Sequence, residues 1–523
     1  MLKQFRTILT LLAVTFVSAI SHGAADQVIR VDAYGQNAQA DWPGKVHNDG
    51  ELASQRAAEA ADWKAHPIPA GHDKWGGWAS GPKRAATGFF RTEQVGGKWW
   101  LVDPGGRLFV SVGVNTIQPS EITLVAGRES LFSWLPASSD PLSAGYGQAG
   151  KTYDFYKANL ARKYGADHGT SFGDVAVSRL GSWGFNTIAN WSVESIGRGH
   201  RFPYVAALSA SGQFAHVPWG QDVWGKMTDP FDPAFAAAVD ESVRAKALAT
   251  RDDPACIGYF FDNELKWGGT SVDFLHYALC YGTLALGADS PAKRAFSDSL
   301  RSHYVEIGRL NAAWGTSFSS WEKLAGPLTS PLPAMTDARR SDFSAFLSAY
   351  AEKYFSIVAG AIKRYDPNHL YLGCRYDWFT RESVETCAKY ADVLSFNIYN
   401  WDRSQYAYAE TLGKPCLVSE FSFGALDRGM FSGGPASVAS QAERGARYSA
   451  YVTSVLSEPA FVGVHWFQYS DEPTTGRCLD GENFNLGFVS ITDTPFPELI
   501  AAARATNASI YSIHSAARPQ GTR

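Results

Sequence analysis

The sequence predicts an α/β protein built as a (β/α)8 barrel, with an N-terminal extension and an insertion after the fourth strand. Three observations support this prediction. Eight short apolar runs recur along the chain, helical stretches separate most of them, and one gap between runs is too long for a single crossover helix. Parallel strands buried on both faces read as continuous apolar runs. Eight such strands with helical connections close into a barrel.

The eight runs are mostly apolar rather than strictly alternating. They occupy residues 108–114, 185–189, 204–208, 257–261, 370–374, 393–398, 416–419 and 462–469. A doubly wound open sheet uses the same elements, but no glycine-rich phosphate loop supports that alternative.

The segments between the runs carry helix signals. We predict helices over residues 173–183, 233–249, 341–365 and 438–456. Asp232 is a good N-cap for the second of these, which is rich in alanine. The gap from residue 262 to 370 therefore holds the insertion, at about residues 265–335. Within it we expect a helical stretch over 293–321 with a break at 311–316.

The beginning of the chain is typical of an export signal. Lys3 and Arg6 precede an apolar run over residues 8–20, and small residues follow at 23–25. We predict a signal peptide over residues 1–25 and a secreted or periplasmic mature protein. The alternative is a retained N-terminal anchor. No later run is long and apolar enough for a membrane span.

The remaining domain boundaries follow from these elements. We predict an extension over residues 26–88 that packs on the barrel, a catalytic barrel over 89–510, and a C-terminal tail over 511–523. The extension should contain a helix at 53–66 and a loop at 74–81 with two exposed tryptophans. A β-hairpin over 89–95 and 98–102 and a turn at 103–106 should lead into the barrel.

Composition narrows the function classes. The formal net charge is only −4 and there is no basic tract, so nucleic acid is excluded as a partner. The 17 tryptophans suit a carbohydrate ligand, because aromatic faces stack on the C–H faces of sugar rings. The six cysteines form no CxxC pair, so a zinc site is not predicted. We expect mostly free, buried thiols, with one disulfide possible.

Two glutamates follow apolar strands at positions where barrel enzymes hold catalytic groups. Glu264 follows the fourth run and Glu420 follows the seventh. One glutamate after a strand is often a surface charge, but two across the same barrel mouth fit glycoside hydrolysis. A carboxylic acid protonates the leaving oxygen, and a carboxylate about 5–5.5 Å away attacks the anomeric carbon. The mechanism requires a raised pKa at Glu264, which the charge of Glu420 would supply.

Longer motifs surround these strand ends. They are residues 258–264 (GYFFDNE), 419–431 (SEFSFGALDRGMF), 465–469 (HWFQY) and 475–487 (TGRCLDGENFNLG), with 73–82 and 97–104 upstream. Together they resemble glycoside hydrolase family 50, the β-agarases of clan A. The resemblance covers residues 28–505.

The resemblance implies a retaining hydrolase that needs no cofactor and no metal. It would cleave β-1,4-galactosidic links in agarose or agaro-oligosaccharides by double displacement and release neoagaro-oligosaccharides. By motif, Glu264 is the acid/base and Glu420 the nucleophile. Asn263 would hold the sugar 2-hydroxyl, and Tyr399 would hydrogen-bond Glu420 and keep it aimed and ionised. Trp466 would form the floor of the cleavage subsite, a core position being the alternative.

Further residues are candidates for substrate binding. They are His465, Arg375, Asn397, Asp480, Glu482 and Asn483. A hydrogen-bonded core histidine is the alternative for His465, a salt bridge for Arg375, and an ordinary turn for the polar loop at 480–483. We also expect Asp427 and Arg428 to form a local ion pair.

Two other functions remain open from the sequence. One is hydrolysis of another galactose-containing polysaccharide, a β-galactan or porphyran. The other is a non-catalytic carbohydrate-binding barrel.

Family members often carry a carbohydrate-binding-like domain before the barrel, and the extension over 26–88 is too short for that β-sandwich. The expected partner is a polysaccharide or oligosaccharide, with no membrane after signal removal. The sequence leaves chain-end preference and oligomeric state open.

Overall fold

Sixteen strands and fifteen α-helices make up the described part of a computed structural model, which covers residues 31–218, 222, 225–269, 271–400 and 411–516. In chain order the strands are β1 (Arg91–Val95), β2 (Lys98–Val102), β3 (Leu108–Phe109), β4 (Ser111–Val114), β5 (Ile122–Leu124), β6 (Tyr146–Gly147), β7 (Thr152–Asp154), β8 (Thr187–Ile188), β9 (Tyr204–Leu208), β10 (His216–Val217), β11 (Met227–Thr228), β12 (Cys256–Phe261), β13 (Leu370–Tyr371), β14 (Leu394–Asn397), β15 (Cys416–Phe421) and β16 (Phe461–Trp466).

The helices follow the same order. They are α1 (Asp49–Ala65), α2 (Phe155–Tyr164), α3 (His168–Ser182), α4 (Glu194–His200), α5 (Pro233–Thr250), α6 (Asp273–His276), α7 (Ala278–Ala285), α8 (Pro291–Tyr304), α9 (Ile307–Trp314), α10 (Trp321–Ala325), α11 (Asp337–Tyr365), α12 (Arg381–Tyr390), α13 (Gln441–Leu456), α14 (Pro497–Asn507) and α15 (Ile510–Ser515). Short 3-10 helices lie at Glu129–Leu131, Pro141–Gly145 and Gln148–Gly150.

Eight parallel strands form the central barrel. Their neighbour order is β13-β12-β9-β8-β4-β16-β15-β14, and a parallel bridge between Tyr376 and Phe396 closes the circle beyond β13 and β14. Each of the eight predicted runs overlaps one of these strands. Every residue of β12, β15 and β16 is buried, because the barrel interior covers one face and the helices cover the other. The predicted (β/α)8 fold is confirmed.

Capping side chains determine where the main crossover helices begin. Asp232 caps α5 as predicted, its carboxylate accepting the backbone N–H of Ala234. Thr336 caps α11 and accepts from Arg339, so this helix begins earlier than the sequence indicated. Ser440 caps α13, which therefore begins later than predicted.

Five helices, α6 to α10, lie between β12 and β13, where the sequence predicted an insertion. The stretch expected to be one helix is divided earlier than predicted, at Val305, whose φ is 63°. It is divided again after Gly315, which ends α9 with φ 67°. Trp314 anchors the segment on α11, since it is fully buried and its indole N–H donates to Asp342 at 2.7 Å.

The N-terminal extension runs along the barrel. Its first residues reach the loops at the carboxyl ends of the strands, where Thr474 donates to the carbonyl of Gly35 at 2.6 Å. Further on, Glu59 of α1 accepts from Arg179 of α3 at 2.8 and 2.9 Å. These buried contacts make the extension part of the packed structure.

Two segments differ from their predicted description. Trp75 is only 7% exposed, and Trp78 stacks between Trp100 and Tyr511 at 5.9 and 5.8 Å, so the 74–81 loop is packed. The expected C-terminal tail begins with α15, in which Tyr511 and His514 are buried. Aromatic packing thus joins the 74–81 loop to α15.

The six cysteines carry free thiols, and all except Cys478 are buried. The expectation of mostly free, buried thiols is confirmed. Within the described ranges, no helix has both the length and the apolar character needed to span a membrane. The predicted signal peptide lies outside the described residues.

Candidate active site

The two predicted carboxylates lie at the same mouth of the barrel. Glu264 follows β12. Glu420 is the penultimate residue of β15, and 3% of its surface is exposed. Non-glycine residues with positive φ cluster at these strand ends: Thr116, Trp191, Asp262, Glu264 and Arg375, at 51° to 61°. Such conformations cost about 1–3 kcal/mol each and collect at functional sites. The backbone itself therefore marks this end of the barrel.

Glu420 is held by two side chains that follow β13 and β14. The guanidinium of Arg375 donates to Oε1 in a buried ion pair, and the hydroxyl of Tyr399 donates to Oε2 at 2.6 Å. Both carboxylate oxygens are thus fixed. The contact predicted between Tyr399 and Glu420 is present.

Glu264 is positioned by a different set of groups. The side-chain amide of Asn397 donates to its Oε1 at 2.8 Å, and its own backbone N–H donates to the carbonyl of Arg375 at 3.2 Å. Asn397 also donates to Oδ1 of Asn263 at 3.2 Å, and Ser419 donates to Oδ1 of Asn397 at 2.7 Å. Asn397 therefore orients Glu264 from the end of β14.

Arg375 connects Glu420 to the segment that carries Asn263 and Glu264. Its Nε donates to Oδ1 of Asn263 at 2.9 Å, its Nη1 to the carbonyl of Ser419 at 3.3 Å, and its Nη2 to Glu420. Its guanidinium lies 4.5 Å from the ring centre of Trp191 and 5.0 Å from that of Phe260. The side chain is fully buried, so it forms the salt bridge given as the alternative to substrate contact.

The electrostatics of Glu420 reflect its burial. Desolvation raises the pKa of Glu420 to about 7, and the charge of Glu264 adds to the increase. Arg375 and Tyr399 both lower the pKa of Glu420, but less than burial raises it. The two hydrogen bonds keep the ionised form accessible near neutral pH.

Other acidic groups border the pair. Burial raises the pKa of Asp377 to about 6, and the charge of Glu264 contributes to the increase. Lys266 lies 3.7 Å from the carboxylate of Asp377. Burial also raises the pKa of Asp262 to about 6, while the hydroxyl of Tyr354 donates to it at 2.6 Å.

This sequence is similar to known β-agarases. It is 38% identical over 523 residues to β-agarase B of Vibrio sp. (strain JT0107), covering 92% of this chain and 54% of that protein. It is 34% identical to β-agarase A of the same strain, covering 92% and 52%. The chain spans about half the length of these curated relatives.

Solved structures of agarases are also similar to this chain. An exo-β-agarase structure superposes with a TM-score of 0.90 at 38% identity, covering 94% of this chain and 74% of the other. The chain belongs to the β-agarase family. The agarase AgWH50C superposes with a TM-score of 0.87 at 37% identity, covering 92% and 73%. The Glyco_hydro_42 family, described as β-galactosidase, matches residues 226–437.

Two predicted substrate contacts are wrong for this family member. Trp466 is fully buried, its indole N–H donates to the carbonyl of Leu486 at 2.7 Å, and its ring packs against Phe488 at 5.3 Å. His465 is also fully buried, with Nε2 2.9 Å from Ser111 Oγ. Successive strand residues point to opposite faces, so one faces the barrel core and the other the helix layer.

The environment of His465 fits the alternative of a core residue. Burial, helped by the charge of Arg375, lowers the pKa of His465 to about 3, so the ring is neutral in the folded protein. The structure brings neither His465 nor Trp466 to the mouth of the barrel.

The polar loop after β16 is organised by Arg477. Its guanidinium contacts Asp480 at 2.7 Å, Glu482 at 2.6 Å and Glu472 at 3.1 Å. Asp480 is thereby held within the loop, and Asn483 donates to the Thr474 carbonyl at 3.4 Å. Glu482 lies within electrostatic range of Glu264, whose charge adds to the burial that raises the pKa of Glu482.

The predicted Asp427–Arg428 pair is present. Arg428 Nη1 lies 3.2 Å from Asp427 and Nη2 lies 2.6 Å from Glu498. Because Asp427 also accepts from Gln441 at the start of α13, the pair ties the loop after β15 to the helix layer.

Trp191 is a residue of the site that was not predicted from the sequence. This residue is 39% exposed and lines a cavity of 330 Å³ together with Asn263, Glu264, Lys226 and Lys266. The signal was available, since Asn190 and Trp191 directly follow the second predicted strand, as Asn263 and Glu264 follow the fourth.

Proposed function

We propose that the chain is a retaining glycoside hydrolase of family 50. It cleaves β-1,4-galactosidic links in agarose or agaro-oligosaccharides and releases neoagaro-oligosaccharides. The β-agarase relatives support the substrate, and one observation supports the chemistry above all others. Glu264 and Glu420 stand at the ends of β12 and β15 and share a hydrogen-bond network through Arg375 and Asn397.

In the first step, the carboxylate of Glu420 attacks the anomeric carbon. Glu264 gives its proton to the glycosidic oxygen, the carbon–oxygen bond breaks, and the sugar becomes an ester of Glu420. In the second step, the carboxylate of Glu264 takes a proton from water. The water oxygen attacks the anomeric carbon, and Glu420 leaves as a carboxylate.

The hydrogen bonds of Glu264 bear on the position of the transferred proton. Asn397 donates to Oε1 of Glu264, and Ser419 fixes the amide orientation by donating to Oδ1 of Asn397. Because Oε1 accepts this N–H, the acid form would carry its proton on Oε2. Asn263 would hold the 2-hydroxyl of the sugar through its amide N–H, since its Oδ1 is taken by Arg375 and Asn397.

The stereochemical test uses agaro-oligosaccharides. NMR of the first product formed should show the β-anomer, the outcome of retention, whereas initial α-anomer would refute the double displacement. Glu420→Ala and Glu264→Ala should each lower kcat, the acid/base variant by about 10²–10⁴-fold. Glu241→Gln, at an exposed side chain on α5, is a control that should leave kcat unchanged.

Azide separates the two roles. With an activated aryl galactoside, azide should rescue Glu420→Ala and give an α-glycosyl azide, because the ion attacks from the face that the nucleophile has vacated. The Glu264→Ala variant should give a β-glycosyl azide instead. The reverse pattern would exchange the two assignments.

A second substrate class is favoured by the match to the β-galactosidase family over residues 226–437, which include both glutamates. In this alternative the same chemistry acts on a β-galactan or porphyran. Incubation with agarose, porphyran, carrageenan and β-galactan distinguishes the two. Product from another galactan and none from agarose would refute the agarase assignment.

We also propose that residues 1–25 are an export signal and that the mature protein is secreted or periplasmic. The intact mass of protein recovered from the periplasm or medium should correspond to a chain that begins near Asp26. A full-length mass in the membrane fraction would instead indicate a retained anchor.

A further inference from the structure

Trp191 is an exposed aromatic residue beside the acid/base. It follows β8 with a φ of 59° and has 39% of its surface exposed. A bulky residue in this backbone conformation is uncommon and is maintained only where the surroundings hold it. Glu264 and Asn263 line the same cavity of 330 Å³.

The contacts of Trp191 fix the orientation of its indole ring. The guanidinium of Arg375 covers one face at 4.5 Å from the ring centre. Phe467 meets the ring at 5.9 Å with an interplanar angle of 81°. Because one face is covered and the residue still borders the cavity, the exposed surface belongs to the remaining face and edge.

We infer that Trp191 is the stacking platform for a pyranose ring bound beside Glu264. The inference rests on the proposed function and identifies an aromatic residue that binds its substrate. A galactopyranose ring suits this platform, since its axial 4-hydroxyl leaves the C–H groups of carbons 3, 4 and 5 together on the opposite face. Aromatic faces carry negative potential and attract such C–H groups.

The covered face of Trp191 adjoins the ion pair of the nucleophile. Arg375 lies between Trp191 and Phe260 and donates to Glu420. Because Arg375 is fully buried and Glu420 is 3% exposed, this ion pair is shielded from water before any sugar binds. Trp191 should therefore act on the affinity for the sugar and have little separate effect on the turnover of Glu420.

The test measures binding and turnover separately. Trp191→Ala and Trp191→Phe are compared in the active enzyme, and again in a Glu264→Gln background that binds agaro-oligosaccharides without cleaving them. Phe274→Ala, at an aromatic side chain 65% exposed in α6, is the matched control. Thermal unfolding of every variant establishes that the fold is retained.

We expect Trp191→Ala to weaken oligosaccharide binding about tenfold by calorimetry and to raise KM by a similar factor. Trp191→Phe should retain most of the affinity, and the Phe274 control should bind like the parent. Unchanged affinity in Trp191→Ala would overturn the platform, including the case in which only kcat falls. Failure of the wild-type protein to cleave any galactan would instead refute the proposed function.

Discussion

Removing the positive charge beside Glu420 should shift the pH dependence of the enzyme. Arg375→Met eliminates the guanidinium that pairs with Glu420 and lowers its pKa. In the wild-type protein the pKa of Glu420 is raised to about 7, so close to half of the population is ionised at pH 7. The nucleophile acts only when it is ionised, so kcat/KM should rise with pH through this region.

The magnitude follows from the lost interaction. An adjacent opposite charge lowers a carboxyl pKa by about 1–3 units, so its removal should raise the pKa of Glu420 by a comparable amount. At pH 7 the ionised fraction then falls from about one half to between about one tenth and one thousandth. The expected loss in kcat/KM is roughly 5- to 500-fold, and most of it should return as the pH is raised.

The assay is kcat/KM on agaro-oligosaccharides across a pH series, with Arg375→Lys as the conservative variant. Lysine retains the charge but loses the fork that also reaches Asn263 and Ser419. The acidic limb of the kcat/KM profile should shift less in Arg375→Lys than in Arg375→Met. A methionine variant whose loss is constant at every pH would refute the electrostatic reasoning and leave a purely positional role.

Three other predictions test separate parts of the structure. Asn397→Ala should slow substrates with poor leaving groups by about 10–100-fold and spare activated aryl galactosides, because it misplaces the proton of Glu264; equal losses on both substrates would contradict this. Asp493→Asn should lower the free energy of unfolding by about 3–5 kcal/mol in denaturant titrations near pH 7, since it breaks a buried ion pair with Arg179. That pair holds the pKa of Asp493 below its ordinary 3.8. The difference in free energy of unfolding between the wild-type protein and Asp493→Asn should therefore shrink as the pH falls below 3.8, and a difference that stays constant with pH would contradict this prediction. Trp466→Phe should lower the melting temperature while KM stays unchanged, and a raised KM would return Trp466 to the substrate site.

The sequence was sufficient for the barrel because each strand carries its own signal. A run such as 257–261 is apolar on both faces, and this pattern needs no knowledge of its neighbours. Helix starts also depend on local residues, and Asp232 was identified in advance for that reason. The insertion was harder to divide, because the break at Val305 falls where the sequence has no glycine or proline to indicate it.

The aromatic residues of the site could not be assigned from motifs alone. Trp466 follows His465 in a strand whose period of two decides which side chain faces the core and which faces the helices. The sequence shows that a residue lies at the end of a strand. It does not show whether the side chain of that residue faces the barrel core, the helix layer or the mouth of the barrel. Trp191 was overlooked although it stands directly after a predicted strand, because no carboxylate accompanied it.

Arg375 shows most clearly what a linear motif omits. The two glutamates lie at the ends of strands that are not adjacent, and yet one residue that follows a third strand contacts both. Its carbonyl accepts the backbone N–H of Glu264, while its side chain pairs with Glu420. A backbone with φ of 55° allows this residue to turn its carbonyl and its guanidinium toward the same mouth. The conformation of Arg375 therefore helps to set the geometry of both the candidate acid/base and the candidate nucleophile, although Arg375 belongs to neither motif.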